Sequence, residues 1–336
     1  MRVFLTGATG LVGSHLADHL IRSGHDVRAL VRPTSDRSFL SGIGAELVEG
    51  DVTDPVDMLA DRMRGCCRVV HGAALVYASG EWETVARVNV VGTARVLAAA
   101  ARSAVKKAVH ISSVAVYSEH SEGEGEESSF TDASPESDHY ARSKREAELE
   151  ARRVERKTGL PVTIVRPAAV YGERDRLVTP AIARMLRLPL IPLLGGGGNT
   201  LPLVYAGNVA VAIGRALETE GGGDTYDLGM DHPLTQRQLF EFQAHGMGLR
   251  PRFVRLPRRL ATAGTRCLGW LGVGTPGARQ LPLERVARIA VGENPYVSRR
   301  AHEVLRWAPP HQHRAALQRT GHWWVGHHEK PGQKES

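Results

Sequence analysis

The chain has 336 residues, 42% of them apolar, which exceeds one average domain and allows a substantial buried core. No run nears the ~20 apolar residues that span a bilayer, no signal segment leads the chain, and Cys66, Cys67 and Cys267 lack metal-type spacing. A cytoplasmic protein without membrane insertion or a metal centre is expected. The net charge is +7, yet residues 119–138 hold eight acids and no Lys or Arg, so the remainder carries +15. That field suits an anionic small molecule, and no nucleic-acid module accompanies it.

Strand patterns are predicted at 2–6, 26–32, 45–49, 68–71, 107–112 and 161–166. Helical patterns alternate with them at 11–23, 55–64, 82–103 and 138–158. Such alternation defines an α/β fold, a Rossmann-type doubly wound parallel sheet. After Arg166-Pro167 the pattern loosens, with helices at 207–219, 235–245, 279–290 and 298–306 and a last one around Trp323-Trp324. The expected division is a dinucleotide-binding domain at 1–167, to which later segments return, and a smaller C-terminal substrate-binding lobe at 168–330. Residues 119–138 read as a mobile flap near the substrate mouth, with a solvated loop of no role as the alternative. The histidines at 311, 313, 322, 327 and 328 read as a mobile basic tail, because no carboxylate or Cys completes a metal set. Leu268–Val273, with Trp270, reads as a helix packed in the second lobe.

Between the first strand and the first helix lies Gly7-x-x-Gly10-x-x-Gly13. Gly7 permits a sharp turn, Gly10 lets a pyrophosphate approach the backbone, and Gly13 lets helix and strand pack closely. The helix N-terminus then offers free N–H groups to phosphate. The spacing differs from the usual G-x-G-x-x-G.

TGATGLVGSHL resembles the cofactor loop of the extended short-chain dehydrogenases/reductases, the epimerase/dehydratase superfamily. Matches follow in family order: GDV at 50–52, HGAA at 71–74, NVVGT at 89–93, SSVAVY at 112–117, YARSK at 140–144, RPAAVYG at 166–172 and GNVA at 207–210. VRALVRPTSD and RPAAVYGERD look more like the 3β-hydroxysteroid dehydrogenase and dihydroflavonol reductase branches, although hopanoid-associated sugar-epimerase-like proteins share VRPTSD. The resemblance implies a cofactor site of Gly7, Thr9, Gly10, Leu11, Val12 and Gly13, joined by Asp51 and Val52 at the adenine. Ala73 and Ala74 would lie beside the cofactor backbone, and Pro167 at the nicotinamide. It also implies a homodimer through the helices at 82–103 and 138–158.

Tyr140 and Lys144 stand one helical turn apart and share a face. A phenol near pKa ~10 is a poor base, and a neighbouring ammonium favours its phenolate. Tyr140 is therefore the candidate acid/base, Lys144 its electrostatic partner and a donor to the nicotinamide ribose. Ser113 is the donor to the reacting oxygen, with Ser112 directed to the opposite face. Where NAD sites place an acid ~20 residues after the glycines, the second strand ends in Val31 and Arg32, with Arg37 near. Arginines favour a 2′-phosphate, so NADP is preferred to NAD.

The expected activity is interconversion of an alcohol and a ketone on a bulky, partly apolar small molecule. Leu201-Pro202 stands where sugar-nucleotide members carry a charged clamp. A nucleotide-sugar epimerase or dehydratase is the alternative, with Arg174 or Arg176 supplying the charge. A non-catalytic nucleotide-sensing regulator is the remote one.

Overall fold

The computed structural model describes residues 1–76, 81–117, 138–257, 294 and 296–328. Six strands come from the first half: β1 (Arg2–Thr6), β2 (Asp26–Val31), β3 (Glu46–Glu49), β4 (Arg68–His71), β5 (Lys107–Ile111) and β6 (Val162–Pro167). Later come β7 (Ala169–Tyr171), β8 (Ile191–Leu194), β9 (Leu203–Tyr205), β10 (Thr225–Leu228) and β11 (Phe253–Leu256). Strands β10-β6-β5-β4-β1-β2-β3 form one parallel sheet in that order. The fold is thus the Rossmann-type doubly wound one. The order reverses between β1 and β4, and that reversal opens the crevice where such sheets take ligands.

Helices α1 (Leu11–Arg22), α2 (Ser38–Gly42), α3 (Val56–Arg62), α4 (Trp82–Ala86), α5 (Gly92–Arg102) and α6 (His139–Thr158) alternate with the first strands. They are followed by α7 (Val178–Met185), α8 (Ala206–Glu218) and α9 (Gln236–Gly246). One core packs α1 and α8 on the sheet through Leu16, Leu20, Val209 and Ile213. A second lies opposite, where Leu59, Val96, Leu97 and Ala151 bring α3, α5 and α6 onto Phe4, Val69 and Ala108. Apolar side chains on both faces explain why β5 and β6 are buried throughout.

The single helix expected at 82–103 is interrupted. Residues Arg87–Val91 form a π turn between α4 and α5, and this wide turn holds Asn89. The helix expected at 298–306 is shorter, Arg299–Glu303. The chain then turns so that Trp307, 1% exposed, donates its indole N–H to Asn208 O.

A third core joins the two-stranded pairs β7-β9 and β8-β11 with α7, α9 and the helix His313–His328. His313 is no mobile tail residue. It is buried, with Nδ1 2.8 Å from Tyr171 Oη and Nε2 3.1 Å from Asp231 Oδ1. Leu201 also belongs to this core, so the apolar replacement there fills the lobe interior. The expected helix at 279–290, Leu268–Val273, Cys267 and the acidic stretch up to residue 137 lie outside the described residues. Its last member, Asp138, caps α6 by accepting from Ala141 N.

Candidate active site

The turn from β1 into α1 is shaped by backbone crowding. Gly7 has φ +73°, and a Cβ there would stand 2.6 Å from Gly72 C and Ala73 N. A Cβ on Gly13 would stand 2.2 Å from Gly7 O. Only hydrogens fit at these two positions. Gly10 begins α1 without a side-chain cap, and no acid lies in the first turn. The free N–H groups of that turn, near Thr9, Leu11 and Val12, therefore suit an anion, and a dinucleotide pyrophosphate fits the cradle.

Farther along the crevice, Asp51 Oδ1 accepts from Thr53 N and Oγ1 at 2.9 and 2.7 Å. Burial acts to raise its carboxyl, but those bonds and the Arg32 charge hold it below the ordinary value. Val52 is buried, and its Cγ2 would be 2.9 Å from a Cβ on Gly92. Arg32 is exposed at the end of β2. Arg37 is already engaged, with Nη1 2.8 Å from Glu49 and Nη2 donating to Arg32 O. Such a partly exposed pair is worth about 0–1 kcal/mol, so its exchange for a phosphate is inexpensive. Ala73 and Ala74 are half-buried just after β4, and Pro167 is buried at the end of β6.

On α6, Lys144 Nζ donates to Ile111 O at 2.8 Å and lies 6.0 Å from the centre of the Tyr140 ring. Burial pushes its ammonium down to about 8, against the opposing charge of Glu148. Ile111 ends β5, two residues before Ser113. Ser113 is half-buried and its Oγ accepts from Ala115 N at 3.1 Å, capping a 3₁₀ turn at Val114–Val116. Ser112 is buried instead. Arg145 also donates to Val116 O at 2.8 Å. The strand end carrying Ser113 and the helix carrying Tyr140 and Lys144 are thereby tied together.

Several participants were not assigned from sequence. Glu148, one turn beyond Lys144, accepts two bonds from Arg166 at 2.9 and 2.7 Å. Arg166 also donates to Tyr117 Oη at 2.8 Å, and Tyr117 donates to Asp227 Oδ2 at 2.5 Å. Burial pushes Asp227 up to about 6. The i, i+4, i+8 spacing of Tyr140, Lys144 and Glu148 was a visible signal for this network. Asn89 is the second omission: Nδ2 donates to Ser143 Oγ and Leu75 O, and Oδ1 accepts from Leu75 N.

Of the charge candidates of the sugar-nucleotide alternative, Arg174 is engaged near α1 and α2 and Arg176 is exposed. Arg174 donates to Ser14 Oγ at 2.9 Å and lies 3.9 Å over the Phe39 ring. Arg176 lies near enough to Asp36 for its charge to lower that carboxyl further, mainly after the hydroxyl and amide of Ser38.

The chain matches the NAD dependent epimerase/dehydratase family over residues 3–229 and belongs to it. It is an NAD(P)-dependent enzyme of the extended short-chain dehydrogenase/reductase class. It is 33% identical over 238 residues to a putative dihydroflavonol 4-reductase of Synechocystis sp., covering 68% of each chain. With the ceramide reductase of Caulobacter vibrioides it shares 31% identity over 273 residues, 80% of this chain and 78% of that one. The crystal structure of gox2253 superposes with a TM-score of 0.75 at 30% identity, covering 97% and 98% of the two chains.

A lysine whose folded-state pKa is depressed leaves a signature in stability. Below about pH 8 Lys144 is protonated in both the folded and unfolded chain, and the burial penalty is constant. Between about 8 and its unfolded value of 10.5, only the unfolded chain holds the proton, so stability contributed at this site rises with pH. Denaturant titrations of the wild type and Lys144→Met from pH 7 to 10.5 should show a relative gain for the wild type, on the order of 3 kcal/mol at most. A pH-independent difference contradicts a depressed Lys144.

Proposed function

We propose that the enzyme interconverts an alcohol and a ketone on a bulky, partly apolar small molecule, with Tyr140 as acid/base. The observation that carries this reading is the Tyr140/Lys144 pair, with a buried ammonium fixed on Ile111 O. Lys144, titrating near 8, keeps its positive charge at neutral pH and favours the Tyr140 phenolate. A bound nicotinamide supplies or accepts the hydride. In the reducing direction Tyr140 gives its phenolic proton to the carbonyl oxygen, and in the oxidising direction it takes the alcohol proton. Ser113 holds that oxygen by a hydrogen bond from its hydroxyl. The relatives named for reduction of dihydroflavonol and ceramide, both bulky and partly apolar, support the substrate class. The C-terminal lobe built on β7, β8, β9 and β11 is the proposed substrate lobe.

Tyr140→Phe should lower turnover at least ~100-fold with ketone substrates while dinucleotide binding stays near normal. Near-normal turnover contradicts the mechanism. Sugar interconversion without net NADPH consumption would instead favour the epimerase reading.

NADP(H) is the proposed cofactor over NAD(H), with Arg32 as the 2′-phosphate partner. One charge-assisted contact is worth ~1.5–3 kcal/mol, or roughly 10- to 100-fold in affinity. Titration of both dinucleotides should show that preference in the wild type and its loss in Arg32→Ala. Equal wild-type affinities contradict the assignment.

A homodimer through α5 and α6 completes the proposal. Val91 and Leu149 are 42% and 56% exposed, and Val91 lines a cleft with Ala94, Ala98 and Ala101, edged by charged side chains such as Arg95 and Glu150. Apolar surface of this kind supports docking of a second copy across a two-fold. Light scattering at micromolar concentration should give twice the chain mass, and a monomer contradicts the interface.

A further inference from the structure

The proposed chemistry leaves His71 without a task, although it is wholly buried directly before the strip 72–76. Its ring takes part in an ordered chain of hydrogen bonds. Ala73 N donates to Thr6 Oγ1 at 3.3 Å, and Thr6 Oγ1 lies 2.7 Å from His71 Nδ1. On the other side His71 Nε2 lies 2.9 Å from Thr93 Oγ1, which donates to Asn89 O at 2.6 Å.

The directions are forced. Asn89 O is only an acceptor, so the Thr93 hydrogen goes there and the Thr93 oxygen accepts from His71 Nε2–H. In the neutral ring Nδ1 then has no hydrogen and accepts from the Thr6 hydroxyl. One neutral tautomer satisfies all four groups. Burial, with the Lys144 charge adding, pushes His71 down to about 3, which keeps it in that form. His110 stacks on the ring at 5.5 Å from the adjacent strand.

Beyond Asn89 O the path continues through the Asn89 side chain. It bonds Leu75 in both directions, at 2.7 and 3.0 Å, and donates to Ser143 Oγ at 2.8 Å. Ser143 in turn donates to Tyr140 O at 2.8 Å. The strip 72–76 and the start of α6 are thus held at both ends of a single buried network.

We propose that His71 and Thr93 are positioning residues, which fix the strip 72–76, where the dinucleotide would lie, relative to the Tyr140-bearing helix. The proposal rests on the cofactor reading above for its functional meaning and on geometry alone for the linkage. Neither residue touches the reacting atoms. A gap in the chain would leave a buried N–H or hydroxyl without a partner, whereas a change of shape alone would not.

Thr93→Val keeps the shape of the side chain and removes the hydroxyl, and Thr93→Ser keeps the hydroxyl and removes the methyl. Amide hydrogen exchange on the full chain without cofactor should be about tenfold faster in Thr93→Val within 72–76 and 139–144, the scale of one lost buried bond. Thr93→Ser should exchange nearly as the wild type does. NADPH titration should follow the same order, weakened severalfold in Thr93→Val and restored in Thr93→Ser. Unchanged exchange in Thr93→Val overturns the proposal. So does equal acceleration in Thr93→Ser, since packing and not the hydroxyl would then hold the strip. The exchange readout needs no dinucleotide, so it decides the linkage even if the wild type binds neither NADPH nor NADH, a result that sinks the cofactor reading instead.

Discussion

A positive charge in a place without water is the constraint around which this site is arranged. Lys144 is 5% exposed, and an isolated ammonium there would be strongly disfavoured. Its surroundings offset that burden in two ways. Ile111 O accepts a hydrogen bond directly, and the Glu148 carboxylate one turn away supplies opposing charge. Glu148 is itself buried and therefore needs Arg166, and Arg166 in turn donates to Tyr117 and lies 3.9 Å from Asp227. One buried cation is thus linked to charged residues drawn from α6, β6 and β10 and to the Tyr117 phenol of the turn after β5. Removing one partner of such a pair typically costs about 3–5 kcal/mol, so these elements hold one another in place.

The glycine turn between β1 and α1 is built by the opposite means. Its cradle contains little side-chain chemistry: Gly7 and Gly13 let main chain approach main chain, and Gly10 leaves the N-terminus of α1 uncapped. Such a turn suits an anion through the N–H groups at the helix start and the helix dipole. Between this cradle and the Lys144 side lies a neutral layer of Thr6, His71, Thr93 and Asn89, all buried and hydrogen-bonded. A neutral layer matters there because a second buried positive charge near Lys144 would disfavour its ammonium further.

Position also separates arginines that look alike in sequence. Arg32 is exposed at the strand end, Arg37 is paired with Glu49, and Arg174 is spent on Ser14 and Phe39. Arg166 is buried and bidentate on Glu148. Composition gives each the same charge; only the neighbours distinguish a solvated cation from a fixed one.

Much of the fold was legible because its signals are local. Val3-Phe4-Leu5 before glycine, the i, i+4 pair Tyr140 and Lys144, and the apolar stripe of α1 each lie within a few residues, where backbone sterics and periodicity act. Ordered motifs such as HGAA, YARSK and RPAAVYG extended that reading to the family. The seventh strand was harder: Thr225–Leu228 is four residues long and pairs with Ile164–Pro167, some sixty residues earlier. Its place depends on a partner that no local pattern names. The π turn at Asn89, the burial of His313 against Tyr171 and Asp231, and the duties of His71, Glu148 and Asp227 belong to the same category. The sequence alone determined the alternation of strands and helices, the glycine cradle and the spacing of the Tyr140–Lys144 pair, because those follow from each residue's own backbone and near neighbours. Tertiary structure alone decided which polar groups lost water and which distant partners replaced it, because burial and hydrogen-bond geometry exist only once separate segments meet.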